Sequence, residues 1–252
     1  MASNFRHKDI LKIARKEGKV TVDALADLYN VTVQTIRRDL SELAEMGRLE
    51  RVHGGAVIPS GVINILYEKR RQLNKSGKKA IAIKCAQKIP NGASVFMNIG
   101  TTTEAVAREL LDHDNLLIVT NNLNIANILS NNHSCEIILA GGVLRRTDGG
   151  ILGSLTVDMV KQFKFDFSIL GCSAIDTDGD ILDFDGQEII VTSTAIQRSR
   201  QVIIVADFYK FKRKAPLTIC SLADVNYLFT DIKLPNKLLD KCNTWKTEII
   251  NI

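Results

Sequence analysis

The sequence contains no run of apolar residues approaching the roughly 18 that a membrane-spanning helix takes, so no membrane partner is expected. Its opening, MASNFRHKDI, lacks the apolar stretch of a secretory signal, and a cytoplasmic location is expected. No Cys-x-x-Cys pair occurs. The five cysteines (Cys85, Cys135, Cys172, Cys220, Cys242) are odd in number, and the four histidines (His7, His53, His113, His133) are scattered. That spacing supplies neither a disulfide framework nor the clustered ligands of a zinc site, so reduced thiols and no metal are expected. Gly-Lys-Ser/Thr is missing, which excludes a Walker A loop. Gly-x-Gly-x-x-Gly is missing too, which argues against a dinucleotide site, and no cofactor is expected.

What remains is an ordinary globular composition: 252 residues, 45% apolar and 24% charged. That length suits one large domain, or a small one followed by a medium one. The net charge of +5 is unevenly spread. Residues 1–58 carry ten Lys and Arg against eight Asp and Glu, and residues 67–84 carry seven against one. The surplus of positive charge in the N-terminal third points to an anionic partner there.

Three helical patterns precede Arg48. Ile10, Leu11 and Ala14 share one face of the first, which Gly18 stops. The second starts after Thr21, a hydroxyl N-cap, with Asp23 in its first turn and Leu25 and Leu28 facing inward. The third starts at Thr32, another hydroxyl cap, and buries Ile36, Leu40 and Leu43 at the i, i+4, i+7 spacing. With that stripe inward, Gln34, Arg37, Arg38 and Ser41 must face out. Asp39 either pairs with a neighbouring arginine and orients it or is a surface carboxylate. The short link Asn30-Val31-Thr32 makes the second and third helices a helix-turn-helix, whose second helix can enter the major groove. Beyond Gly47 the period changes, and RLERVHGGAVI reads as a hairpin turning at His53-Gly54-Gly55. Three helices and a hairpin make a winged helix.

These residues carry a resemblance. VTVQTIRRDLSELAEMGRLERVHGGA resembles the DeoR-type repressors, whose recognition helix reads Val-Ser-x-x-Thr-Ile-Arg-Arg-Asp-Leu ahead of a His-Gly-Gly wing. Thr32 stands where the family usually has Ser, and both residues cap a helix. Double-stranded operator DNA is the expected partner. The expected contacts are Thr32, Gln34, Thr35, Arg37 and Arg38 from the helix, and Arg51, His53, Gly54 and Gly55 from the wing. Gln34 and Thr35 are candidates for base edges. Arg37 or Arg38 is expected to fork onto guanine or clamp a phosphate.

Pro59, Ser60 and Gly61 end the hairpin pattern. The basic run that follows either adds non-specific DNA affinity by counterion release or forms a solvated linker helix. Its continuation, KKAIAIKCAQKIPNG, reads as a helix with Ala80, Ile81, Ile83 and Ala86 as apolar positions. From Ser94 onward strand and helix patterns alternate (SVFMNIG, TEAVARELLD, LLIVTN, LNIANILSN, EIILAG, LTVDMVKQF, DFSILGCSAI, EIIVTSTAIQRS, QVIIVAD, LTICSL, YLFTD). Near-continuous apolar strands between helices indicate an α/β domain with a largely parallel sheet.

Ligands of such sheets sit beyond the carboxyl ends of the strands. There Asn98-Ile99-Gly100-Thr101-Thr102-Thr103 opens directly into a helix, with Gly100 expected to allow a sharp turn. Its free N–H groups and hydroxyls suit a phosphate, although simple helix capping would use the same residues. Thr120, Asn121, Asn122 and Asn124 offer amides and a hydroxyl to a sugar or polyol. Asp176, Asp178, Asp183 and Asp185 crowd one region near Glu188, and Asp207 and Lys210 end QVIIVAD. The DeoR-type resemblance covers nearly the whole chain. It implies a sensor domain whose fold is similar to sugar-phosphate isomerases such as ribose-5-phosphate isomerase. It also implies that Gly100, Thr101, Thr102 and Thr103 hold the phosphate, Asn121 and Asn122 the polyol, and Asp207 and Lys210 the far side, with Asp176 and Glu188 as further effector contacts. Two departures bear on the pocket: Tyr209 replaces a small hydroxyl residue, and the helix after Glu188 lacks the usual basic residues.

The expectation is therefore an α/β protein with a winged helix-turn-helix at 1–58, a basic linker at 59–77 and an α/β effector-sensing domain at 78–252. It would act as a transcriptional repressor of a carbon-metabolism operon, without enzymatic activity, as a homo-dimer or tetramer. A phosphorylated sugar or polyol, glycerol-3-phosphate above others, would release it. The alternatives are a repressor answering another sugar phosphate and an isomerase-like enzyme with a DNA-binding appendage.

Overall fold

The computed structural model describes residues 2–17, 19–46, 48–52, 54–57 and 67–252. His53, Pro59, Ser60 and Gly61, and with them the tip of the wing and the first part of the expected linker, lie outside the described residues. The chain divides into two compact units, 1–63 and 64–252.

The first unit runs α1 (Ala2–Glu17), β1 (Lys19–Thr21), α2 (Val22–Tyr29), α3 (Val33–Glu45), β2 (Glu50–Val52) and β3 (Gly55–Val57). Thr21 and Thr32 cap α2 and α3, accepting from the N–H of Ala24 and Thr35. Asn30 ends α2 in the left-handed conformation that asparagine tolerates, and this sets the tight turn. Ile36, Leu40 and Leu43 pack with Ile10, Leu11, Ala14 and Leu25 in one core. Each of these leucines and isoleucines contributes about 1.5–3 kcal/mol on burial. Leu28, expected inward, is 61% exposed. It lies off the stripe formed by Val22, Leu25 and Ala26.

The hairpin gains a third, unforeseen strand: β1 pairs antiparallel with β3, giving the order β1-β3-β2. This explains the double glycine. Gly54 has φ +74°, and a Cβ on Gly55 would sit 2.0 Å from the Val20 carbonyl oxygen.

Asp39 is neither a surface carboxylate nor a partner of Arg37 or Arg38. It is buried and ties α3 to α1, accepting from the Arg6 guanidinium (Nη2 at 3.1 Å, and Nε) and lying 3.2 Å from His7 Nε2.

The second unit contains α4 (Tyr67–Gln72), α5 (Lys75–Ala86), β4 (Ser94–Met97), α6 (Thr101–Glu109), β5 (Leu117–Thr120), α7 (Leu123–Leu129), β6 (Glu136–Leu139), β7 (Val143–Arg145), β8 (Gly150–Leu152), α8 (Ser154–Lys161), β9 (Phe165–Leu170), β10 (Ala174–Ile175), β11 (Asp180–Asp183), α9 (Gly186–Gln197), β12 (Ser199–Val205), β13 (Leu217–Ser221), β14 (Tyr227–Thr230), α10 (Asn236–Trp245) and β15 (Glu248–Asn251). Seven strands form a parallel sheet in the order β15-β14-β12-β9-β4-β5-β6. Side chains alternate across it. Val95, Met97, Ile118, Ile169 and Ile203 join α5, α6 and α7 on one face, and Phe96, Val119, Leu170 and Ile204 join α9 and α10 on the other. Burial on both faces is why these strands read as continuous apolar runs.

DFSILGCSAI, read as one strand, is two. β9 stops at Leu170, and β10 turns into a small antiparallel sheet with β11 and β13. Of the expected linker, residues 67–77 form α4 and the start of α5 inside this unit. In α5 the buried stripe is Lys78, Ile81, Ala82, Cys85 and Ala86, so Ile83, expected inward, is 36% exposed.

Replacing Asp39 by alanine strands the Arg6 charge at a mostly buried seam. The expected loss is about 2 kcal/mol for the first unit. Amide exchange of α1 and α3 in the full chain checks it, with protection falling roughly thirtyfold; unchanged protection would mean that the seam carries no stability.

Candidate functional site

Two surfaces carry the candidate residues. On the first unit, Gln34, Arg37, Arg38 and Ser41 are exposed along α3, opposite the buried stripe. Arg38 is 82% exposed, and its Nε donates to Glu42 Oε1 at 3.0 Å, one helical turn on. Arg51 of β2 reaches the Arg37 carbonyl at 3.4 Å, so the wing strand lies against this helix. The hydroxyls of Thr32 and Thr35 are 2.9 Å apart, and Thr32 is committed to the cap. The arrangement is a helix with two outward arginines and a glutamine near its N-terminus, flanked by the strand that carries Arg51. Such a helix suits a DNA major groove.

The second surface is a cleft at the point where the sheet's connections diverge. β4 and β9 are neighbours, but the chain leaves β4 toward β5 and leaves β9 toward β12. Crevices of α/β sheets open at such points. Asn98, buried at the end of β4, donates its Nδ2 to the Gly171 carbonyl (3.0 Å) and accepts from the Gly171 N–H (2.8 Å), fixing the two strand ends. Gly100 then leads into α6, whose N-terminus has no side-chain cap. Its first N–H groups are therefore available to an anion. Gly100 has φ 168°, ordinary extended backbone, so a sharp turn is not what it supplies. A Cβ there would crowd Thr103 Oγ1 at 3.1 Å, and that hydroxyl donates to the carbonyls of Asn98 and Gly100.

Gly100, Thr101, Thr102, Glu188 and Lys210 line this cleft together, joined by Arg70, Ser173 and Asp183. It continues into a second recess lined by Lys78, Asp207, Tyr209 and Arg213, with Arg70, Thr101 and Lys210 common to both. Asn121, Asn122 and Asp176 are absent from both walls. Asn121 donates to the Ile151 carbonyl, and Asn122 caps α7. Asp176 accepts three backbone N–H groups of its own turn. Thr103 is buried behind the loop it braces. Asn122 is thus engaged in local structure, whereas the Asn121 side-chain oxygen is buried without a hydrogen-bond partner among the described residues.

Charge is sorted across the cleft. Arg70, Lys78, Lys210 and Arg213 crowd one side. Burial pulls Lys78 down to about 8, with Lys210 and Arg70 adding repulsion and Asp207 opposing. Burial and then Arg213 lower Lys210, and burial and then Arg70 lower Arg213. Buried cations that repel one another are relieved by an anion. On the other side burial and then Asp183 push Glu188 up to about 7, against the pull of Arg145. Arg145 binds Glu188 at 2.7 Å, Asp185 at 2.6 Å and Asp148 at 2.8 Å. In the sequence Arg70 and Lys78 stand only as members of a basic run. Continuing the α5 stripe back one turn from Ile81 and Ala82 lands on Lys78, which is the signal that could have found it.

The comparisons with known proteins cover both units. The DeoR-like helix-turn-helix domain family matches residues 6–62, and the DeoR C terminal sensor domain family matches residues 73–232. The chain is 46% identical over 250 residues to the glycerol-3-phosphate regulon repressor of Haemophilus influenzae, covering 99% of this chain and 97% of that protein. It is 46% identical over 235 residues to the glycerol-3-phosphate regulon repressor of Escherichia coli, covering 93% of each. Among solved structures it is similar to ribose 5-phosphate isomerase from Plasmodium falciparum, with a TM-score of 0.40, 13% identity, and coverage of 54% of this chain and 52% of that one.

Lys78 yields a pH prediction. Its folded value lies below the unfolded one, so its charge costs stability below pH 8, and that cost lifts as the pH rises from about 8 toward 10.5. A bound anion favours the charged form and reverses the shift. Affinity for sulfate, whose own charge is fixed, should be level to about pH 8 and then fall by up to about tenfold per pH unit. In Lys78→Met the fall should vanish. Calorimetric titration at several pH values checks it, and identical profiles for the two proteins would remove Lys78 from the site.

Proposed function

This chain belongs to the DeoR family of transcriptional regulators, as a helix-turn-helix repressor with a C-terminal sensor domain, and from that premise we propose that it represses a carbon-metabolism operon and releases its operator on binding glycerol-3-phosphate. One observation carries the effector: the uncapped N-terminus of α6 shares a cleft with Arg70, Lys78, Lys210 and Arg213. A phosphate monoester brings close to two negative charges and three strong acceptors to that side. The carboxylates Asp183 and Glu188 accept hydroxyl hydrogens on the other side. A neutral sugar brings no negative charge to the cations, and inorganic phosphate brings no hydroxyl groups of a polyol to the carboxylates. A short polyol phosphate satisfies both, and the Tyr209 ring on the wall favours a small one. The names of the 46% identical relatives support the same compound.

On the DNA side, Arg37 and Arg38 meet the duplex from α3, Gln34 and Thr35 read base edges, and Arg51 with the Gly54-Gly55 turn follows the backbone. Two copies act together, because one winged helix buries too little to be specific and paired half-sites match a two-fold protein. The coupling needed is small: about 1.4 kcal/mol lowers operator affinity tenfold. Glu188 near pH 7 also has the acidity of a general base. Its carboxylate is nevertheless engaged by Arg145, and no turnover of ribose-5-phosphate is expected in a direct assay.

A thermal-shift series tests the effector. At a hundredfold excess over its Kd, glycerol-3-phosphate should stabilise the second unit by about 2.7 kcal/mol. Ribose-5-phosphate, fructose-6-phosphate, glycerol and inorganic phosphate should do markedly less; equal shifts from glycerol alone would discard the phosphate site. For DNA, Arg37→Ala and Arg38→Ala should each weaken operator binding by about 1–3 kcal/mol, or reduce the salt slope by about one if the lost contact is to phosphate. Wild-type binding by both variants would sink the assignment of α3.

A further inference from the structure

α4 is the first helix of the second unit, and it is fastened at two points of different kinds. At its start, the Tyr67 hydroxyl donates to Glu104 Oε1 and Oε2, both at 3.0 Å, and accepts from Asn124 Nδ2 at 3.0 Å. These partners belong to α6 and α7. Toward its end, the Arg70 carbonyl accepts from the Thr101 hydroxyl at 3.4 Å and from the Lys78 ammonium. Both of those donors line the candidate effector cleft. The Arg70 side chain makes one ion pair among the described residues, Nη2 to Asp148 Oδ2 at 3.2 Å.

That pair is the loose member of its group. Asp148 already accepts two bonds from Arg145, Nε to Oδ1 and Nη2 to Oδ2, each 2.8 Å. It therefore stays paired when Arg70 leaves. Meanwhile Arg70 Nε is buried without a hydrogen-bond partner, and the residue lines both halves of the cleft. A buried donor left unmade is unfavourable, and an acceptor arriving in the cleft removes that penalty.

We propose that Arg70 is the residue through which effector occupancy reaches α4. The inference rests on the cleft being the effector site, as proposed above. A phosphate at the α6 N-terminus takes the Arg70 Nε, the Thr101 hydroxyl and the Lys78 ammonium. The end of α4 thereby exchanges the two bonds on the Arg70 carbonyl for a bond from Arg70 Nε to the ligand, while Tyr67 stays on Glu104 as a pivot. Ligand-free and bound states then differ in how α4 is held, and a ligand shifts an equilibrium only through such a difference.

The full-length chain tests this by hydrogen exchange and operator binding with glycerol-3-phosphate as the probe. Saturating glycerol-3-phosphate should speed exchange at residues 67–73 by about tenfold while α6 amides slow. In Arg70→Met, the Kd for glycerol-3-phosphate should rise at least about tenfold, and operator affinity at saturation should stay within about twofold of the ligand-free value. If the unsubstituted chain neither binds nor answers any phosphorylated compound, the effector reading itself falls. If it binds and releases its operator, yet α4 exchange is unaltered or Arg70→Met releases as fully as the parent, the effector reading stands and Arg70 has no part in transmission. The exchange measurement on the unsubstituted protein decides the matter even where Arg70→Met folds poorly.

Discussion

The parting of the chain between β4 and β9 governs what the second unit can do. The two strands are hydrogen-bonded neighbours, but their continuations run to opposite sides of the sheet, and a crevice opens between them. Asn98 sets its width by bonding both polar groups of Gly171. Everything chemically useful is then delivered to this crevice by elements placed for other reasons. α6 begins there because β4 ends there. α5 packs against α6 through Ile81, Ala82 and Cys85, and one turn earlier the same stripe carries Lys78 to the cleft.

The first unit obeys a comparable logic on a smaller scale. Burying Ile36, Leu40 and Leu43 leaves no place for Gln34, Arg37 and Arg38 except outside. Asp39, next in sequence to two arginines, turns inward and holds Arg6 and His7 instead. The recognition helix is thus oriented by a buried charge pair on one side and presents charge on the other. Among the described residues its outward arginines make one ion pair, Arg38 with Glu42, an exposed pair of modest strength.

Much of this was legible in order. The i, i+4, i+7 stripe of α3, the hydroxyl caps at Thr21 and Thr32, and the alternation of apolar strands with helices each follow from periodicity and local chemistry. Gly100 to Thr102 at a strand end followed from the rule for open α/β sheets. What escaped depends on long-range placement. β1 is three residues long and exists only by pairing with β3. β9 and β10 form one apolar run, and the break at Gly171 is where the chain passes from the parallel sheet into the antiparallel one. Asn121 and Asn122 carry the right groups for a polyol, but whether an amide faces a ligand or a backbone carbonyl is a tertiary fact. Arg70 was hidden in a basic run because charge counts do not report which cation turns inward.

The strand order has a further consequence for how the protein is made. β4, β5 and β6 follow one another both in the chain and in the sheet, and among the strands of this sheet so do β9, β12, β14 and β15. Each block can therefore assemble from contacts close in sequence, and only the β4–β9 pairing closes a loop of about seventy residues. On the ribosome the winged helix and the β4–β6 block emerge well before β9. A nascent chain of this protein therefore presents its outward arginines before the proposed effector cleft has both of its walls.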